Sequence, residues 1–208
     1  MISNKHKCIH VHVPKCAGTS ITHTLFNRRD AHLTALQYKN LLGDTYDKYF
    51  SFAFIRNPWD RMVSYHNMLM RAKIKPHHRI VKLCTKMFGN TLFPSWINFV
   101  QWVNNESEHD LVLKKIGLNN YLEIRPQYFW LMDNSGNIIV DFIGRFERLL
   151  ADFNKVCEKL EMPDKKNALR RMNSGDHGHY SSYYDSETRD MVGEIFELDC
   201  EHFGYDFN

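Results

Sequence analysis

Apolar and polar residues alternate over Lys7–Val13. Ile9, Val11 and Val13 take one set of positions and His10 and His12 the other, the period-two signature of a strand that Pro14 then ends. The small and polar residues that follow predict a loop and then a helix starting between Gly18 and Ser20 and running to about Asn27. In "AHLTALQYKNLLG", Thr34 and Gln37 stand at capping-box spacing and Gly43 at a helix stop. "FSFAFI" (Phe50–Ile55) is a continuous apolar run, as expected of a strand buried on both faces. "RNPWDRMVSYHNMLMR" follows, with Pro58 suited to a first helical turn. Strand, loop and helix thus occur twice in succession.

Residues 76–126 read as mostly helical, "PSWINFVQWV" being the clearest amphipathic stretch. "YFWLMDNSGNIIVDFIGRF" reads as a strand, a turn at Asn134–Gly136 and a second strand. "ERLLADFNKVCEKL" sets Leu149, Phe153, Val156 and Leu160 on one helical face, and a last helix is predicted from about Ser186 to His202. Repeated strand-to-helix units predict an α/β fold with a central, mainly parallel sheet flanked by helices. With no internal repeat or long linker, the expectation is one domain over residues 1–208.

Charge changes this picture little. The 27 Lys and Arg are interspersed with 24 Asp and Glu, and a net charge of +3 gives no reason to expect nucleic-acid binding. No 18-residue apolar run exists and "MISNKHKCIHV" lacks a signal-peptide core, so the chain reads as soluble and cytoplasmic, without an integral membrane segment. Five cysteines lie scattered without a CxxC pair, which predicts reduced thiols. His77-His78 and His177-Gly178-His179 have no nearby Cys or carboxylate set at ligand spacing, so no metal site is expected.

The chemistry concentrates at the two strand-to-helix junctions. After the first strand, "PKCAGTS" offers successive backbone N–H groups, a glycine that allows close approach, hydroxyls at Thr19 and Ser20, and the positive end of a helix. These suit a phosphate, and Lys15 adds a point charge able to sit between that phosphate and a departing group. The nucleoside-triphosphatase loop GxxxxGK[ST] is not matched, because Lys15 precedes Gly18 by three residues, and a kinase reading weakens accordingly. At the second junction, Arg56 leaves a buried strand and Ser64 follows two helical turns on, so both can serve a second anion. The competing readings are a tight turn with an incidental lysine, an Arg56–Asp60 salt bridge, and a helix-interior hydroxyl at Ser64.

"HVPKCAGTSI" together with "FAFIRNPWDRMVSYH" resembles the two nucleotide-binding signatures of the sulfotransferases. The likeness is greatest to the carbohydrate O-sulfotransferase branch related to heparan sulfate 2-O- and chondroitin sulfotransferases. "IRPQYFWLMD", "DFIGRFERLLADF" and "YSSYYDSETRDMV" extend the likeness over His10 to Phe207. The resemblance implies a P-loop-like fold and 3′-phosphoadenosine 5′-phosphosulfate as sulfuryl donor, with no metal. It implies further that Lys15, Cys16, Ala17, Gly18, Thr19 and Ser20 hold the 5′-phosphosulfate and that Arg56 and Ser64 hold the 3′-phosphate. Arg170 or Arg171 is implied to join them from "RRMNSGDHGHYSSYYD". Cys16 stands where relatives often carry threonine, so a hydroxyl contact is lost while the backbone N–H remains.

Sulfuryl transfer to a hydroxyl needs in-line reactants, charge stabilisation at the departing oxygen and a base. Lys15 fits the charge role. For the base, His32 lies in the segment where relatives place a catalytic histidine; its competing reading is a capping or packing residue before the Thr34 helix, and His66 and Asp60 are rivals. "RFE" (Arg145–Glu147) reads either as near the site or as pairing within the sheet. The implied acceptor is a carbohydrate, a glycolipid or a small hydroxylated molecule. Its pocket should draw on residues 71–123 and 174–184, and a nucleotide kinase or a noncatalytic nucleotide-binding module are the alternatives.

Overall fold

The computed structural model describes residues 1–28, 32–73, 96–104, 125–169 and 178–208. In chain order its elements are β1 (Ile2–Ser3), β2 (Cys8–Val11), α1 (Gly18–Phe26), α2 (Ala35–Leu42), β3 (Phe50–Ile55) and α3 (Pro58–Lys73). They continue with α4 (Trp96–Asn104), α5 (Tyr128–Leu131), β4 (Phe142–Arg145), α6 (Leu149–Lys159), α7 (Ser186–Ile195) and α8 (Glu197–Phe203). The fold is α/β with helices flanking a mainly parallel sheet, the P-loop-like class. Two compact units are present, Met1–Asn57 with Arg125–Ser174, and Pro58–Ile124 with Gly175–Asn208.

The first unit carries the sheet, ordered β1-β2-β3-β4 among the described residues. β2 pairs parallel with β3 in the register His10↔Phe52, and β3 pairs parallel with β4 in the register Phe54↔Gly144; β1, which the hydrophobic pattern did not reveal, joins β2 antiparallel. Every residue of β2 is buried, His10 included, and so is His12 just beyond the strand. Alternation in the sequence therefore marks two covered faces here, and His10 is accommodated by a 2.8 Å bond between Nδ1 and Thr22 Oγ1 and by stacking on Phe52. The predicted capping box forms: Thr34 Oγ1 accepts from the Gln37 N–H and Gln37 Oε1 from the Thr34 N–H. Past Gly43 the chain tightens into a 3₁₀ turn, Gly43–Lys48.

Two sequence expectations are corrected. Tyr128–Leu131 is a helical turn, not a strand, and only the Met132↔Ile138 bridge is extended there. Pro126 opens that turn, its carbonyl accepting from the Phe129 N–H, and Tyr128, Trp130 and Leu131 are all buried; so dense an apolar run has no period by which to tell the two states apart. The last helix is two, α7 and α8, separated at Phe196, whose fully buried ring anchors the break.

The second unit is helical among its described residues. Trp59, Met62, Val63 and Tyr65 of α3 pack with Val100 and Val103 of α4 and Val192 of α7. The Trp59 indole N–H donates to the Arg189 carbonyl, and the Tyr184 hydroxyl donates to the Trp59 carbonyl. Of residues 76–126, α4 falls where the clearest amphipathic stretch was predicted; most of the remainder lies outside the described residues. Among the described residues no helix is long and apolar enough to cross a membrane. Cys8, Cys16, Cys157 and Cys200 are free thiols, and burial pushes Cys8 up to about 12 and Cys157 and Cys200 to about 11.

Gly144 shows how tightly the sheet is packed. A Cβ at this position would lie 2.5 Å from Cε1 of Phe54, a ring only 1% exposed on the paired strand. Gly144→Ala is expected to lower stability by about 1–3 kcal/mol by overpacking. Urea unfolding should also show that Gly144→Ala combined with Phe54→Leu costs less than the sum of the two single changes; strict additivity would sink the clash as the cause.

Candidate functional site

The β2–α1 loop adopts a backbone that its sequence alone does not favour. Lys15 and Ala17 hold φ of 69° and 63°, in the left-handed region, while Cys16 between them does not. Such residues cost on the order of 1–3 kcal/mol each and persist only where the surroundings over-determine them. Alternating φ signs of this kind are the backbone pattern from which anion-binding nests are built. Ala17 is also the N-cap of α1 and has no side-chain oxygen to cap the first turn, so an anion would complete that helix end. Thr19 is exposed, whereas Ser20 is buried.

Gly18 has a packing duty that the sequence did not reveal. A Cβ there would lie 2.0 Å from Cδ2 and 2.3 Å from Nε2 of His12, so the space belongs to that ring. His12 holds α1 close to the strand, and the glycine is required by packing before any ligand arrives.

Arg56 comes to the same loop from the end of β3. Its guanidinium Nη1 donates to the Lys15 carbonyl at 3.3 Å, and its Cζ lies 3.9 Å from the centroid of the Phe146 ring. The residue that fastens the two loops is Gln127, fully buried. Gln127 Oε1 accepts from the Arg56 N–H at 2.8 Å and from the Cys16 thiol at 3.1 Å, while Nε2 donates to the Arg56 carbonyl at 2.7 Å. The N–H needs an acceptor and the carbonyl a donor, so one orientation of the amide satisfies both. Next to it the Asn57 N–H donates to Glu147 Oε1 at 2.6 Å. "RFE" therefore lies at this junction, with Phe146 and Glu147 facing Arg56 and Asn57 and with the Arg145 N–H donating to Asp152.

His32 stands beside the same strand end. It is exposed, its Nδ1 lies 3.2 Å from the His12 carbonyl, and its ring centroid is 4.3 Å from that of His12. Lys15, Cys16, Ala17, Gly18, Thr19, Ser20, His32 and Arg56 are thus all in the first unit. Ser64 belongs to the second, half-buried in α3, as do the rivals Asp60 and His66. Burial pushes the His66 imidazole down to about 4, making it a weak base at neutral pH. Arg170 and Arg171, together with His77, His78 and His177, lie outside the described residues. His179 caps a short 3₁₀ turn, and among the described residues no three His, Cys, Asp or Glu form a metal-holding group.

Neither Gln127 nor Phe146 carries a local sequence motif of its own for a place at this junction. His12 reads in the sequence as an ordinary strand residue. Gln127 meets Arg56 across 71 residues and Cys16 across 111, so no spacing rule connects them. The one available signal was a polar residue heading a run of buried aromatics.

A family model described as the sulfotransferase family matches residues 1–206. Comparison with curated proteins and comparison with solved structures each give no match.

Replacing Gln127 by Met keeps the volume and removes both hydrogen-bonding ends. About 1–3 kcal/mol is expected to be lost for each Arg56 main-chain group left buried and unpaired, read as a fall in the urea midpoint. A midpoint equal to that of wild type would show that water or a shifted neighbour takes over both bonds.

Proposed function

The chain belongs to the sulfotransferase family, and from that premise we propose that it moves a sulfuryl group from 3′-phosphoadenosine 5′-phosphosulfate to a hydroxyl of a carbohydrate. The observation that carries the donor assignment is the loop from Lys15 to Gly18: positive φ at Lys15 and Ala17 on either side of Cys16, ending on an uncapped helix start, with Arg56 tied to the Lys15 carbonyl. When bound, the donor supplies an activated sulfuryl group and leaves as 3′-phosphoadenosine 5′-phosphate. Two anionic ends on one nucleotide match a loop site and an arginine site. Likeness of the two signatures to the carbohydrate branch supports a sugar hydroxyl as acceptor.

The residues divide the work as follows. N–H groups of Cys16 to Ser20 and the α1 dipole hold the anion at the loop, where the side chain of Cys16 contributes nothing because its thiol is spent on Gln127. Lys15 places its ammonium against charge that develops on the departing oxygen. Arg56, and Ser64 with Arg171, are assigned to the 3′-phosphate, Arg56 having a second duty in bracing the loop. His32 takes the acceptor's proton on Nε2 as the acceptor oxygen bonds to sulfur, and it is preferred to His66 because His66 is too weakly basic at neutral pH.

Calorimetric titration with 3′-phosphoadenosine 5′-phosphate should show binding that magnesium–ATP does not match. In Arg56→Ala that binding should weaken about 10- to 100-fold, the scale of a charged hydrogen bond. Preference for magnesium–ATP, or no binding by folded protein, would overturn the donor assignment.

Transfer of a labelled sulfuryl group into a panel of mono- and disaccharides tests the rest. Lys15→Ala should lose about 10²–10³ in turnover with a smaller loss of nucleotide binding. His32→Ala should bind nucleotide normally and lose about 10²–10⁴ in transfer. Undiminished transfer in either variant removes that residue from its role, and labelling of no sugar while other acceptors receive the sulfuryl group and 3′-phosphoadenosine 5′-phosphate is released would overturn the carbohydrate reading.

A further inference from the structure

We infer that His12 is the positioning residue of His32: its carbonyl locks the neutral imidazole with the proton on Nδ1, and its ring fixes the plane of His32 beside the anion loop. The inference rests on the reading of His32 as the proton acceptor. Its first support is donor–acceptor logic. A carbonyl oxygen only accepts, so the 3.2 Å contact between His12 O and His32 Nδ1 is a hydrogen bond only if Nδ1 carries the hydrogen. The neutral ring then has its lone pair on Nε2, the atom left for an acceptor hydroxyl. Among the described residues this carbonyl is the single hydrogen-bond partner of His32, an exposed side chain that would otherwise turn freely.

The second support is where the His12 ring lies. It is 5% exposed and occupies the position that a Cβ on Gly18 would take, 2.0 Å from Cδ2, so it abuts the first residue of α1. The same ring is 4.3 Å from His32 and tilted by 42°. It cannot swing aside, because it also stacks on His10 at 5.6 Å and 13°, and His10 is held by Thr22 and Phe52. One buried side chain thereby touches both the anion loop and the candidate base. Displacing it would move His32 relative to the bound donor without removing any group that contacts the nucleotide.

The test is a long-range proton–nitrogen NMR correlation on labelled protein at a pH where imidazoles are neutral, with the His32 signals assigned by their loss in His32→Ala. Wild type should show His32 as the Nδ1–H tautomer; the Nε2–H tautomer or an average of the two would overturn the inference. In His12→Leu the carbonyl stays but the ring that holds His32 in its plane is lost, so His32 should turn away from the carbonyl and average between tautomers. Turnover, on a sugar or on water as acceptor, should fall about 10- to 100-fold, as expected for a misplaced catalytic group, while affinity for 3′-phosphoadenosine 5′-phosphate stays within about threefold. Affinity falling in step with turnover would make His12 a packing residue of the loop and overturn the inference. Should His12→Leu not fold, His12→Phe, which keeps a ring against His32, should retain the Nδ1–H tautomer, and its loss there would equally overturn the inference. Normal transfer by His32→Ala would instead remove the base reading, leaving the wild-type tautomer to decide the geometry.

Discussion

The candidate site depends on a single buried carboxamide. Gln127 spans the ends of two parallel strands by satisfying both main-chain groups of Arg56 and the thiol of Cys16. Chain ends of adjacent parallel strands diverge into separate loops, and nothing in the sheet's own ladder ties those loops together. A side-chain amide can, because it carries a donor and an acceptor at the spacing of a peptide group. Since it is fully buried, water cannot substitute for its partners without a cost.

That tie explains why the strained loop is affordable. Lys15 and Ala17 sit in left-handed backbone that neither side chain favours, and each is adjacent to the residue Gln127 holds. Arg56, bound to Gln127 by its main chain, returns its guanidinium to the Lys15 carbonyl. His12 supports the loop from the strand side by filling the space over Gly18. The left-handed backbone at Lys15 and Ala17 is thus flanked by three neighbours drawn from three different segments, Gln127, Arg56 and His12. This is the arrangement expected where local conformational cost is retained for binding.

Much of the fold was legible because its signals are local. The Thr34–Gln37 capping box, the apolar run of β3, the Pro58 helix start and the Leu149 to Leu160 face each depend on residues within one or two turns. The failures have equally local causes: an apolar run at Tyr128–Leu131 with no readable period, and a two-residue β1 too short to have a pattern. Lys15, Gly18 and Arg56 could be singled out because strand-to-helix junctions concentrate backbone donors and charge. Gln127, Phe146 and His12 could not, since each acts by meeting a partner that no sequence rule places beside it.

Sequence by itself determined the sulfotransferase signatures, the parallel β2–β3 pair and the identity of the charged groups at its ends, because covalent order and side-chain chemistry suffice for these. Tertiary structure alone decided that Gly18 yields its space to a histidine ring and that Cys16 spends its thiol on an amide. It decided likewise that His32 meets the His12 carbonyl and that Arg56, read in the sequence as a ligand of a second anion or a partner of Asp60, donates to the Lys15 carbonyl. The physical reason is that packing and hydrogen-bond satisfaction are settled among residues distant in the chain, where burial makes every unpaired group costly and every atom's volume exclusive.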